Sequence, residues 1–169
     1  REWAEKVALD LLPVPYEHVI LTLPRPLTQL VMAHGDALYS KVMQAGGAAL
    51  MAVGKKFLGA QLAALCLLHT WGQRGYGHVH IHILMPAGGL TYGEKRLWVP
   101  FPASATFLSE EVLGAEFRDR LLKTLESMHA SGALEPTGSW NFLASYAAFD
   151  RWLAPLREID WKVRQRHVW

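Results

Sequence analysis

Apolar positions along this chain repeat with two different periods, and each change of period marks out an element. Trp3, Val7, Leu11 and Leu12 fall at helical spacing over residues 1–12, and Pro13 and Pro15 end that helix because each removes a backbone donor. His18–Leu23 is a short β-rich run closed by Pro24 and Pro26, which predicts a strand. Leu27–Val53 reads as helix interrupted near Gly35, its second part placing Leu38, Val42, Ala45 and Ala49 on one face. Leu62–Trp71 is mostly apolar, and Gly72, Gly75 and Gly77 follow as turn residues. His78–Met85 then alternates strictly before Pro86, so the pair predicts an antiparallel hairpin. Ala87–Lys95 reads as a second Gly-rich turn and Arg96–Val99 as a short strand.

Glu110–Met128 carries the clearest helical stripe, Leu113, Phe117, Leu121, Leu125 and Met128, with Glu116/Arg120 and Asp119/Lys123 as outward pairs four residues apart. A further helix is expected over Trp140–Leu153, burying Phe142, Tyr146, Phe149 and Leu153 and stopping at Pro155. Trp161–Trp169 alternates again and predicts a strand. The order of elements implies an α+β fold: one central, mostly antiparallel sheet flanked by helices.

Composition narrows this further. Hydrophobic residues make up 51% and charged residues 19% of the 169, enough for a sizeable core and for one domain over 1–169. The longest apolar run, Leu62–Leu68, is far short of the roughly 20 residues a membrane helix needs. No signal-like segment opens the chain. Cys66 is the sole cysteine and cannot form an internal disulfide, so a reduced, cytoplasmic setting is expected. A net charge of +2 is too slight to indicate nucleic acid by itself. The chain starts at Arg1, without a methionine, and stops without a polar tail, which reads as a piece of a longer protein.

The unusual feature is histidine: there are eight, and His69, His78, His80 and His82 fall within fourteen residues. In a strand, residues two apart share a face, so His78, His80 and His82 point one way while Val79, Ile81 and Ile83 point to the core. Neutral imidazoles so placed can converge on a divalent ion. With a turn centred near Gln73–Arg74, His69 lies opposite His78 on the same face. A lone strand histidine is usually a half-exposed polar residue, and His18, His34, His129 and His167 read that way. Three in strict alternation are hard to explain by packing. The pattern suits two chemistries: a histidine-triad nucleotide hydrolase, with His80 as nucleophile and no metal, or an HUH nuclease, whose histidine pair holds Mg²⁺ or Mn²⁺ against a scissile phosphate.

The flanking segments separate the two. LLPVPYEHVILTLPRPL at Leu11–Leu27, LHTWGQ at Leu68–Gln73 and HVHIHILMPAGGL at His78–Leu90 resemble, in order and spacing, the transposases of rolling-circle insertion sequences of the IS-ninety-one group. Phe107–Trp161 resembles them more diffusely. A histidine-triad protein carries its motif near the C-terminus, whereas half of this chain follows His82. The resemblance implies that His80-Ile81-His82 is the HUH pair, on a strand in the middle of the sheet. For the third ligand His69 is chosen on hairpin geometry, with His78 and Gln73 as alternatives. It further implies Mg²⁺ or Mn²⁺ as cofactor, single-stranded DNA at transposon ends as partner, and a bacterial, cytoplasmic protein that nicks and rejoins DNA through a 5′-phosphotyrosine.

One departure stands out. The family attacks DNA with tyrosines in a Tyr-x-x-x-Tyr arrangement, and Tyr16, Tyr39, Tyr76, Tyr92 and Tyr146 offer no such spacing. Tyr146 reads as core. The nucleophile is expected beyond Trp169 and the family's zinc-binding segment before Arg1. Lys162, Arg164 and Arg166 form a basic row at strand spacing that suits phosphates. Of the seven tryptophans, Trp71 and Trp98 flank turns and are candidates for the surface, while Trp3, Trp140 and Trp152 read as core. Gly88-Gly89 is too short to cradle a phosphate. A third possibility is a remnant that binds an element's end without cutting it.

Overall fold

A computed structural model describes residues 11–72, 77–102 and 109–168. Its centre is a four-stranded antiparallel sheet in the order β3 (Leu65–Trp71), β4 (Gly77–Pro86), β1 (Tyr16–Thr22), β7 (Val163–His167). The architecture is α+β, with the histidine-rich β4 as one of two inner strands. Alternation decides the faces: Val19 and Leu21 of β1, Val79, Ile81, Ile83 and Met85 of β4, and Val163 of β7 are all buried against helices.

Two long helices cover that inner face. Helices α1 (Arg25–Ala33) and α2 (Gly35–Leu58) are separated at His34, where the interruption was expected. Leu38, Val42, Ala45 and Ala49 of α2 are buried as the spacing predicts. At Gly46 a Cβ would come within 2.6 Å of Ile81 Cδ1, so the missing side chain lets α2 lie close beneath the strand that carries the histidines. Helix α3 (Glu110–Ala130) starts at Ser109, whose hydroxyl accepts from the Val112 N–H, and Glu110 and Glu111 occupy its first turn. All five of its expected core residues are buried. Glu116 and Arg120 pair at 2.6 Å, but Asp119 pairs with its neighbour Arg118 and not with Lys123.

The later helix departs from expectation. Gly138–Leu143 is a 3₁₀ turn, and α4 (Tyr146–Glu158) begins only where Ser145 caps it by accepting from the Ala148 N–H. Phe142 lies in the 3₁₀ turn and Tyr146 is the first residue of α4, so both are exposed, while Phe149 and Leu153 further along the helix are buried. Pro155 does not stop α4. It lies in the last turn, where its missing N–H costs only the bond to the carbonyl of solvent-exposed Arg151.

The sheet is not single either. β2 (Ala60–Gln61), β5 (Gly88–Thr91) and β6 (Trp98–Pro100) make a small second antiparallel sheet. Part of the stretch read as a Gly-rich turn is therefore strand: Gly88 and Gly89 are small because Trp98 and the Gln61 carbonyl press against them. β1 also starts two residues earlier than the β-rich run suggested. The expected N-terminal helix falls outside the described residues except for Leu11 and Leu12, which are exposed and irregular. No described helix is long and apolar enough to cross a membrane.

Candidate metal centre

The outer face of the four-stranded sheet is open, and its chemistry changes from edge to edge. β3 presents Leu65, Leu67 and His69, β4 presents His78, His80, His82 and Leu84, β1 presents His18, Ile20 and Thr22, and β7 adds Arg164 and Arg166. The register puts His80 opposite Thr22 and His82 opposite Ile20. His69 lies opposite His80, not His78. Cys66 pairs with Ile83 and Leu68 with Ile81 in this register, which shifts at an irregularity between His69 and Trp71.

Donor atoms of His69, His80 and His82 all lie within 4.8 Å of one another. His80 Nδ1 donates to the carbonyl of His78 at 2.9 Å, which leaves its Nε2 unprotonated, the form a ligand nitrogen needs. His82 Nε2 stands 3.0 Å from His80 Nε2. The His69 ring is stacked on Trp71, centroids 5.3 Å apart and 9° from parallel, and Trp71 is 61% exposed. His78, with its ring 5.0 Å from that of His80, is not one of the three. Gln73 lies outside the described residues. Three nitrogen donors at this spacing suit a divalent transition ion, and suit the harder Mg²⁺ less well.

Burial and nearby charges disfavour the protonated form of three of these rings, and a ligand imidazole must be unprotonated at the coordinating nitrogen. Burial, then the neighbouring His69, His80, His18 and Arg166, lowers His82 to a pKa of about 4. His18 is lowered by burial and then Arg166, and His78 by burial, then His80 and Lys162.

His18 belongs to this cluster although, read alone, it is an ordinary polar strand residue. Its Nε2 is 2.8 Å from His82 Nδ1, the two rings stack at 5.1 Å, and Arg166 reaches its other nitrogen at 3.3 Å. Only the pairing of β1 with both β4 and β7 brings these together, and no local signal announces it. The other isolated histidines are structural: His34 Nδ1 bonds the Leu30 carbonyl, His129 stacks on Phe149, and His167 pairs with Glu17.

A cleft of about 1720 Å³ runs over this face, lined by His69, His78, His80, His82, Lys162, Arg164 and Arg166 together with Arg25 and Gln29 of α1. Trp71 and Trp140 also line it, so Trp140, expected in the core, is shared between core and cleft. No described tyrosine lines the cleft. Tyr16 is buried with its hydroxyl accepting from the Leu12 N–H, Tyr92 and Tyr146 are exposed elsewhere, and Tyr76 lies outside the described residues.

A one-sided antiparallel sheet bearing a histidine cluster beside a row of cations defines an α+β domain built around a candidate metal centre. Residues 63–168 match the Y2_Tnp family, "Putative transposase", and the chain belongs to that family of transposases. It is 32% identical over 164 residues to "Putative transposase y4qJ" of Sinorhizobium fredii, covering 96% of this chain and 41% of that protein. The chain thus spans about two-fifths of the length of this curated relative. Among solved structures it is similar to a conjugative relaxase, TrwC, in complex with oriT DNA in a copper-bound structure, at 10% identity and a TM-score of 0.41, over 83% of this chain and 68% of that one.

Proposed function

We propose that this chain is the metal-holding and DNA-binding part of a transposase that nicks and rejoins single-stranded DNA at insertion-sequence ends. His69, His80 and His82 hold the ion, Mn²⁺ in preference to Mg²⁺ because all three donors are nitrogen. One observation carries the reading: the three imidazoles share an open cleft with Lys162, Arg164 and Arg166 in a chain of transposase family. When bound, the ion supplies Lewis-acid polarisation of a scissile phosphodiester.

The chain's own residues do the rest of the positioning. His80 is held in its ligand tautomer by the His78 carbonyl. Lys162, Arg164 and Arg166 contact phosphates on and beside β7, and Arg25 does so from α1. Exposed Leu65, Leu67 and Trp71 at the β3 edge form an apolar bed for unpaired bases. The nucleophile is a tyrosine beyond Trp169, as the family resemblance implies, with the zinc-binding segment before Arg1. Its hydroxyl oxygen bonds to phosphorus as the 3′-oxygen leaves and takes a proton, giving a 5′-phosphotyrosine and a free 3′-hydroxyl.

The test is to incubate this chain, and a version extended through the downstream tyrosines, with labelled single strands from a matching element end plus Mn²⁺. The short chain binds without forming an adduct, and the extended one forms a covalent adduct that a chelator abolishes. An adduct on Tyr76 or Tyr146 would place the nucleophile inside this chain. Hydrolysis of a dinucleoside polyphosphate, lost in His80→Ala and indifferent to chelator, would establish the histidine-triad alternative instead.

A further inference from the structure

We propose that His18 is a positioning residue for His82, and that Arg166 sets the direction of the hydrogen bond between them; this rests on the reading of His82 as a metal ligand. The geometry forms one chain: Arg166, His18 Nδ1 at 3.3 Å, His18 Nε2 to His82 Nδ1 at 2.8 Å, His82 Nε2 to His80 Nε2 at 3.0 Å, and His80 Nδ1 to the His78 carbonyl at 2.9 Å. A guanidinium can only donate and a carbonyl can only accept, so both ends of the chain have a fixed sense. With one N–H on each ring, every bond then points the same way. Arg166 donates to His18, His18 Nε2–H donates to His82, His82 Nε2–H donates to His80, and His80 Nδ1–H donates to the carbonyl. No donor in the chain is unmatched.

That arrangement leaves His82 in the wrong tautomer for a ligand, because its Nε2, the atom facing His80, carries the hydrogen. Coordination through Nε2 requires the hydrogen on Nδ1, where it donates to His18 Nε2. His18 must then carry its own hydrogen on Nδ1, which faces Arg166, and two donors cannot bond each other. Arg166 therefore leaves His18 when His82 becomes a ligand, and is free for the phosphates along β7. Each ring keeps one hydrogen throughout and no charge changes. His18 thus supplies the outer acceptor that histidine ligands ordinarily have, and the same contact links the metal centre to the basic row.

The experiment combines side-chain nitrogen NMR with metal titration of the whole chain. Long-range ¹H–¹⁵N spectra distinguish the two tautomers, with Zn²⁺ as the diamagnetic probe. Without metal, His18 and His82 carry their hydrogens on Nε2; with Zn²⁺, both carry them on Nδ1. Calorimetry with Mn²⁺ then compares wild type, His18→Leu and His18→Gln. His18→Leu, which keeps bulk but has no acceptor, weakens binding by about 10-fold or more, the range typical when a ligand loses its outer partner. His18→Gln restores an acceptor and recovers most of the affinity. Equal affinity in wild type and His18→Leu, or His82 already carrying its hydrogen on Nδ1 without metal, would overturn the proposal while leaving the metal site intact. Equal binding by wild type and His82→Ala would overturn the metal site and the proposal together.

Discussion

Each histidine in the cluster is positioned by neighbours that differ from the others'. His80 is oriented by its own strand, His69 by the ring of Trp71, and His82 by His18 across the sheet. If the three hold one ion, removing any of them leaves two nitrogen donors, and His80→Ala or His82→Ala abolishes measurable Mn²⁺ binding in calorimetry. Undiminished binding in both would dismiss the site. Titration adds a second prediction, for the metal-free chain. The unfolded chain takes up a proton on His82 near the usual 6.5, whereas the folded one resists it until about 4. The resulting stability is fully present above pH 6.5 and is lost as the pH falls through that window. The urea midpoint should therefore drop between pH 7 and pH 4.5 by more in wild type than in His82→Asn; parallel curves would count against the lowered value.

The site depends on how closely helices approach the sheet. At Gly114 of α3 a Cβ would stand 2.6 Å from the Trp161 carbonyl, which is backbone and cannot rotate away. Trp161 is held there, buried, with its indole donating to the Leu156 carbonyl and its ring edge against Phe117. Alanine gains about 1 kcal/mol over glycine by helix propensity, but overpacking costs typically about 1–3 kcal/mol. Gly114→Ala should thus destabilise the fold and displace β7 with its cations. Gly47→Ala on α2, where a Cβ meets nothing within 4 Å, is the control and should stabilise. Opposite signs in thermal melts support the packing account, and stabilisation by both would refute it.

Taken whole, the molecule separates its tasks across one sheet: apolar edge, histidine centre, basic edge. Net charge conceals this, because the +2 total averages the cations of the open face against the carboxylates of α3 and α4. Binding to single strands should then depend on Arg164 and Lys162 through phosphates and not through sequence. Replacing Arg164 by alanine lowers the salt slope of binding by about 0.7 for each phosphate the side chain had neutralised, the value for single strands. An unchanged slope with weakened affinity would mean that Arg164 touches no phosphate.

Periodicity was enough to place β4, α2 and α3 and to put His78, His80 and His82 on one face, because a two-residue or 3.6-residue repeat is a local property of the chain. The match of the flanking segments pointed to the transposase family on the same local terms. Pairing was different. His69 meets His80 and not His78, because registers two residues apart keep the same side chains on the core face and local alternation cannot choose between them. Phe142 and Tyr146 face solvent because α4 begins only after Ser145, which leaves one in the 3₁₀ turn and the other at the helix's first position. His18 and Arg166, 148 residues apart, meet only because β1 lies between β4 and β7, and such a contact is a product of sheet order that no local pattern encodes.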